Sequence, residues 1–113
     1  MGLKLKVADK RKPSYSLQKV KQLIREEKID TEPLTVKQST NGMCLTVFEA
    51  YHEILKLENK DFYKSVTQLN NNKVWQDVYK QKVKGIPTYI KFKIVGDMFL
   101  LLSFKPDTSK KGV

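Results

Sequence analysis

Between residues 61 and 105, β-branched and aromatic side chains alternate with polar ones, and three short segments interrupt the alternation. An alternation with a period of two is typical of strands that bury one face, and breaks rich in Asn, Gly and Pro are typical of turns. The C-terminal half is therefore predicted to form an antiparallel meander of about four strands. The three breaks are Asn70-Asn71-Asn72, Gly85-Ile86-Pro87 and Gly96-Asp97.

Two loops compete for the last hairpin, because a slip of one residue moves every side chain to the other face. A two-residue loop at Gly96-Asp97 pairs Val95 with Met98 and mixes polar and apolar residues on both faces. A three-residue loop pairs Val95 with Phe99 and leaves one apolar face. Burying six apolar side chains, at ~1.5–3 kcal/mol each, outweighs the usual preference for two-residue turns, so the longer loop is predicted. The six are Ile90, Phe92, Ile94, Leu100, Leu102 and Phe104.

The predicted register also determines the polar face of the sheet. It places Tyr89 opposite Lys105, Lys91 opposite Ser103 and Lys93 opposite Leu101. Extended backwards, the spacing allows Gln76 to lie opposite Tyr89 and, with a turn around Asn70, Lys64 to lie opposite Gln76. Three steps of about 4.8 Å between strands span roughly 14 Å, the reach of two or three nucleotides of a single strand. One polar row is thus predicted, formed by Lys64, Gln76, Tyr89 and Lys105.

Two helices are predicted before the sheet, which gives an α+β fold. The first begins at Ser14 or Ser16, ends near Glu27, and buries a stripe of Leu17, Val20, Leu23 and Ile24. Residues 29–38 are predicted to contain a short extended piece, and residues 39–42 a turn and cap. The second helix covers residues 43–57 and packs on the sheet through Met43, Val47, Phe48, Tyr51, Ile54 and Leu55.

The chain is strongly basic, with 22 Lys and Arg against 12 Asp and Glu, a formal net charge of +10 and a pI of about 9.7. Such a charge favours a polyanionic partner, although a lysine-rich surface can also serve solubility alone. The length of 113 residues suits one domain, residues 1–113. Residues 1–13 are predicted to be a mobile basic arm, and residues 106–113 a flexible tail.

Several chemistries lack the residues that they need. The single cysteine, Cys44, cannot form an internal disulfide or a cysteine-ligated zinc site, and the single histidine, His52, cannot form a two-histidine acid–base pair. We expect Cys44 to be a small buried hydrophobe and His52 to be structural or exposed. The longest apolar run, residues 98–102, is too short to span a membrane. A cytoplasmic protein without a metal or a cofactor is predicted.

Five blocks of this sequence resemble the MqsR toxin family, ribosome-independent messenger-RNA endonucleases of type II toxin–antitoxin systems. The resemblance extends over residues 14–105 and implies a RelE-like fold. The segment between Gly42 and Asp61 is longer than in that family, and one extra residue follows Asp97. The blocks are Gly42-Met43-Cys44, Asp61-Phe62-Tyr63-Lys64-Ser65, Trp75-Gln76-Asp77-Val78-Tyr79, Tyr89-Ile90-Lys91 and Ser103-Phe104-Lys105.

The resemblance implies that Lys64, Gln76, Tyr89 and Lys105 take part in cleavage, and that the partners are single-stranded messenger RNA and a cognate antitoxin. RNA carries its own nucleophile, the 2′-hydroxyl, so lysines, an amide and a phenol can suffice to orient it and to neutralise charge. Lys91, Lys93 and Lys73 are predicted to bind the RNA. Two alternatives remain: a non-catalytic nucleic-acid-binding module that acts with an antitoxin in transcriptional regulation, and an interaction protein whose charge is incidental.

Overall fold

The computed structural model of this chain describes residues 7–30 and 45–108. These residues form two helices, one 3-10 turn and six strands that belong to one sheet. The helices are α1 (Leu17–Arg25) and α2 (Val47–Ile54), and the 3-10 turn is Asn59–Asp61. The strands are β1 (Asp9–Lys10), β2 (Ile29–Asp30), β3 (Phe62–Gln68), β4 (Asn71–Val83), β5 (Ile86–Val95) and β6 (Met98–Pro106).

The sheet has the strand order β1-β3-β4-β5-β6-β2. Its four long strands are the predicted antiparallel meander, so the α+β class and this part of the topology are confirmed. Two short strands extend the edges: β1, which was not predicted, pairs antiparallel with β3, and β2, which lies within the extended piece predicted for residues 29–38, pairs parallel with β6.

The predicted mobile arm is wrong for the residues around β1, because their backbone is paired with the sheet. Asp9 lies opposite Val66, and the N–H of Ala8 donates to the hydroxyl of Thr67 at 2.9 Å. At the other end, the N–H of Asp107 donates to the carbonyl of Pro87 at 2.8 Å, so the start of the predicted tail is also paired. The parts of these two predictions that concern residues 1–6 and 109–113 lie outside the described residues.

Helix α1 follows the predicted pattern closely. The hydroxyl of Ser16 caps it by accepting the N–H of Lys19 at 3.2 Å, and three predicted core residues, Val20, Leu23 and Ile24, are buried. The helix ends at Arg25, because Glu27 adopts a left-handed backbone with φ of 59°.

Helix α2 begins later than predicted. A capping box starts it: the hydroxyl of Thr46 accepts the N–H of Glu49, and the Glu49 carboxylate accepts the N–H of Thr46. Tyr51 and Ile54 are buried as predicted, whereas Phe48 is 73% exposed because it lies on the outer flank of the buried stripe. The predictions for residues 31–44, which include Met43 and Cys44, lie outside the described residues.

One face of the sheet carries the core, and a chain of aromatic rings runs through it. The Phe62 and Tyr79 ring centroids are 5.5 Å apart, Tyr79 stacks on Phe92 at 5.4 Å, and Phe92 lies 5.2 Å from Phe99. Tyr51 of α2 meets Phe99 edge-on at 6.3 Å. These contacts join the middle strands to the second helix and leave the opposite sheet face free of helices α1 and α2.

The hairpin of β5 and β6 contains both of the registers weighed from the sequence. Next to the turn, Val95 pairs with Met98, so the predicted three-residue loop is wrong. Farther along, the register shifts by one and Tyr89 pairs with Lys105, as predicted. The extra residue is Leu102, which forms a β-bulge. A bulge reverses which residues of a strand face the core, so one register applies before Leu102 and the other after it.

The bulge also changes the apolar face of β6. Phe99 and Leu101 are buried instead of Leu100 and Leu102, which are only half-buried, and Lys93 pairs with Leu100 rather than with Leu101. The core therefore keeps a clean apolar face together with a two-residue turn.

The two earlier hairpins differ from the predicted register. The turn between β4 and β5 is the pair Lys84 and Gly85, both with positive φ, so Ile86 already belongs to β5. Tyr89 consequently lies opposite Lys80 and not opposite Gln76. The predicted turn around Asn70 is confirmed by its φ of 69°.

The pairing of β3 with β4 is also offset. A bulge at Tyr63 lets Phe62 pair with Tyr79 while Lys64 pairs with Val78, so Lys64 is not opposite Gln76.

Candidate functional site

The sheet face opposite the core presents a row of three side chains on neighbouring strands. Lys80 of β4, Tyr89 of β5 and Lys105 of β6 lie directly opposite one another, and the Lys105 ammonium is 5.5 Å from the centroid of the Tyr89 ring. Ile90 and Phe104 point to the core, so their neighbours Tyr89 and Lys105 must share the polar face. This half of the predicted row is confirmed.

A cavity of about 290 Å³ opens at this end of the polar face. The Lys80 ammonium lies 3.9 Å from the centroid of the Tyr63 ring, and the Lys64 ammonium lies 5.3 Å from it. Bulging at Tyr63 is what turns this phenol towards the cavity next to Lys64. The lining consists of Tyr63, Lys64, Lys80, Tyr89, Lys105, Pro106, Asp107 and Thr108.

The structure thus brings together three of the four predicted cleavage residues, and it adds Lys80 and Tyr63, which the sequence analysis missed. Tyr63 lies inside one family-like block and Lys80 directly follows another, so the blocks themselves could have indicated both residues. Placing the β4–β5 turn at Lys84-Gly85 would also have put Lys80 opposite Tyr89.

Gln76 does not join this row. It lies four residues before Lys80 on β4, roughly 13 Å along the strand, and it is 9% exposed. Its amide donates to the Gln68 side chain at 3.4 Å, and the ammonium of Lys93 donates to the same Gln68 oxygen at 3.0 Å. The prediction of a single row of four residues is therefore wrong, although Gln76 shares the polar face.

Among the lysines predicted to bind RNA, Lys91 lies beside the cavity. It pairs with Ser103 on one side and with the fully buried Val78 on the other, across from Lys64. Burial lowers the pKa of the Lys91 ammonium, and the nearby positive charge of Lys105 lowers it further.

The other two predicted RNA-binding lysines lie outside the cavity lining. Lys93 is next to Gln76, while Lys73 is exposed near the Asn70 turn, within the register shift of β3 and β4.

Tyr89 is a phenol that keeps its proton. Burial raises its pKa, and the neighbouring Tyr63 and the Asp107 carboxylate raise it further. At neutral pH the hydroxyl can therefore donate a hydrogen bond to an anionic oxygen.

Asp107 brings negative charge to this basic cavity. Its carboxylate forms an ion pair with the Lys80 ammonium at 3.2 Å, and the two side chains are 15% and 30% exposed. Together with the Tyr63 ring, this pair holds the Lys80 ammonium at the edge of the cavity.

Within residues 7–30 and 45–108, no three side chains of His, Cys, Asp or Glu come together as a metal-binding group. His52 is exposed on α2, where its Nδ1 lies 3.1 Å from the carbonyl of Phe48. Neither helix in the described part of the chain is long and apolar enough to cross a membrane.

The fold and the cavity define a class of protein: a small basic α+β domain whose sheet presents lysines and tyrosines in a pattern suited to a polyanion. Residues 12–106 match the family described as motility quorum-sensing regulator, toxin of MqsA. The chain belongs to this MqsR toxin family, which confirms the resemblance inferred from its blocks. It is 30% identical over 103 residues to the mRNA interferase toxin MqsR of Escherichia coli (strain K12), covering 86% of this chain and 97% of that relative.

Proposed function

We propose that this chain is the toxin of a type II toxin–antitoxin pair and an endoribonuclease that cleaves single-stranded messenger RNA, without a metal or a ribosome, and so inhibits translation. Membership of the MqsR toxin family supports the toxin role and an antitoxin partner. The name of the Escherichia coli relative, an mRNA interferase, supports the reaction. The observation that carries the proposal is the Tyr89–Lys105 pair in a cavity that also contains Lys64 and Lys80.

The proposed reaction uses the nucleophile of the RNA itself. The 2′-hydroxyl gives its proton to solvent water and attacks the adjacent phosphorus, and the bond from phosphorus to the 5′-oxygen breaks as that oxygen takes a proton from water. The products are a 2′,3′-cyclic phosphate and a 5′-hydroxyl. Negative charge accumulates on the phosphate oxygens in the transition state, where the ammonium groups of Lys64 and Lys105 stabilise it.

The remaining polar groups orient the substrate. The Tyr89 hydroxyl, which stays protonated, donates to a phosphate oxygen or its ring stacks on a base. Because Gln76 is roughly 13 Å along β4 from Lys80, it contacts the base or the ribose of a neighbouring nucleotide rather than the cleaved bond.

The proposal is tested by incubating the purified chain with naked messenger RNA in the presence of EDTA. We expect discrete cuts without ribosomes, and the mapped ends should carry a cyclic phosphate and a 5′-hydroxyl. The matched control is an oligonucleotide with a single 2′-deoxy substitution at a mapped site, which should bind but stay intact. Salt-sensitive binding without any cut would contradict the proposal and favour the non-catalytic nucleic-acid-binding module.

Lys91→Met is expected to weaken RNA binding and to stabilise the fold. The lowered pKa of Lys91 means that folding disfavours its charged form, and this cost is present below the folded pKa and fades as the pH rises towards the unfolded value. Methionine keeps the apolar volume but removes the charge. We expect the slope of log K for single-stranded RNA against log salt to fall by about 0.7, with a melting temperature at pH 7 no lower than that of the wild type.

The matched control for that variant is Lys19→Met on α1, which removes one exposed charge away from the sheet. It should leave the salt slope unchanged. A clear loss of stability in Lys91→Met, with RNA binding intact, would contradict the assignment of Lys91 to the RNA surface.

A further inference from the structure

Cationic and phenolic side chains alternate on the polar face beyond the limits of the cavity. From β6 to the edge of the sheet, cations and phenols follow one another across the strands: Lys105, Tyr89, Lys80, Tyr63 and finally Arg11. The carbon of the Arg11 guanidinium lies 5.7 Å from the centroid of the Tyr63 ring, and Arg11 follows β1, which flanks β3 on the side away from β4. From β6 to β1 there are four steps between neighbouring strands, and at about 4.8 Å per step they span roughly 19 Å.

The edge strand β1 gives Arg11 its position. Side chains alternate along the chain, and Lys10, which pairs with Ser65, places its ammonium 4.1 Å from the Trp75 ring. Arg11 follows on the opposite face, where its guanidinium donates to the Tyr63 carbonyl at 3.4 Å. The residues of β1 and Arg11 precede residues 12–106, the part that matches the family.

Arg11 is suited to a phosphate because of its exposure and its donors. The residue is exposed, and its hydrogen bond to Tyr63 is long and uses one of the five N–H donors of a guanidinium. A planar guanidinium binds a phosphate with two parallel hydrogen bonds, which an ammonium cannot do.

We propose that Arg11 forms a backbone subsite for the RNA, holding a phosphate at least one nucleotide away from the cleaved bond, on the β1 side of Tyr63. This inference rests on the proposed function and deepens it by giving the substrate a path across the sheet. The ribose-phosphate strand follows the alternating row, with the bond to be cleaved near Tyr89 and Lys105 and the flanking strand leaving over Tyr63 towards Arg11.

The chain provides a closely matched pair of variants, Arg11→Ala and Lys10→Ala. Each removes one positive charge and one cation–aromatic contact from the same edge, but only Arg11 faces the cavity side. Binding is measured with RNA made non-cleavable by a 2′-deoxy group at the mapped site, and the cleavage rate with the unmodified RNA of the same sequence. Two lengths are compared: a short RNA restricted to the cleavage site, and one extended by four nucleotides on both sides.

For Arg11→Ala we expect the affinity for the extended RNA to fall about fivefold. The slope of log K against log salt should fall by about 0.7. Binding and cleavage of the short RNA should match the wild type. Lys10→Ala should match the wild type with both RNAs, and Arg11→Lys should restore most of the salt slope. Thermal melting of every variant establishes that β1 stays paired.

Two results would overturn the proposal. Equal binding of the extended RNA by the wild type and by folded Arg11→Ala would show that no phosphate is held there. An equal loss on the short RNA, seen as a lower cleavage rate, would show that Arg11 acts by orienting Tyr63. Both differ from failure of the proposed function, in which the wild type itself does not cut RNA.

Discussion

Lys105→Ala is expected to lower the rate of RNA cleavage by about 10²–10³-fold, the usual cost of removing one preorganised donor from a site where negative charge develops. The expectation follows from the position of Lys105, directly opposite Tyr89 on the polar face and at the lining of the cavity. The side chain is exposed, so its loss leaves no hole in the core and the fold should be kept. Cleavage is measured in single-turnover reactions with a labelled RNA that contains one mapped site.

Binding separates chemistry from affinity in this experiment. Because Lys64, Lys80 and Lys91 remain, the affinity of Lys105→Ala for non-cleavable RNA should fall only about fivefold. The matched control is Lys19→Ala, which removes an exposed lysine from α1 and should cleave at the wild-type rate. Wild-type cleavage by Lys105→Ala would remove this lysine from the mechanism, and an equal loss of binding and cleavage would reduce it to a binding residue.

The Tyr89–Lys105 pair could be predicted because the apolar pattern of β5 and β6 requires it. The prediction reached the right pair with the wrong loop: the extra residue lies in the bulge at Leu102 and not in the turn. Leu102 stands in a continuous run of apolar residues, 98–102, where alternation gives no signal of a bulge. A register deduced from burial can therefore be correct at a site and wrong next to it.

The position of Gln76 shows what the sequence left open. Its predicted place opposite Tyr89 depended on the turn between β4 and β5, which the structure places at Lys84-Gly85. The pairing of Gln76 with Tyr89 requires a turn centred near residues 82 and 83, two positions before the observed turn, where Lys84 adopts an uncommon left-handed backbone with φ of 54°. A shift of four residues moved Gln76 along the strand and brought Lys80 into the row.

The N-terminal residues were the least predictable part of the described fold. They attach to the sheet through backbone groups, which every residue type carries, so no side-chain pattern announces the contact. Asp77 alternates with Gln76 on β4 and is fully buried on the core side, where a carboxylate needs hydrogen-bond donors. The structure supplies them from more than 60 positions away: the backbone N–H groups of Ser14 and Tyr15 donate to its carboxylate at 2.9–3.0 Å.

Asp77→Ala is accordingly expected to destabilise the protein by about 3–5 kcal/mol, since each hydrogen bond to a charged group contributes ~1.5–3 kcal/mol. Asp77 is fully buried, and its loss leaves two N–H groups without their acceptor just before α1. Urea denaturation measures the change in the free energy of unfolding. The control is Asp97→Ala, an exposed carboxylate whose surface ion pair with Lys28 at 3.6 Å is worth ~1 kcal/mol or less.

Asp77→Asn gives the intermediate case, because an amide oxygen keeps the shape and one acceptor but loses the charge. We expect its free energy of unfolding to fall between those of the wild type and Asp77→Ala. A loss below ~1 kcal/mol in Asp77→Ala would mean that other contacts hold the segment, such as the 2.8 Å bond between the hydroxyls of Ser14 and Ser65. A large loss would instead make one buried carboxylate the main attachment of the segment between β1 and α1, and Arg11 belongs to that segment. The stability of the N-terminal segment and the extent of the RNA surface would then depend on the same side chain.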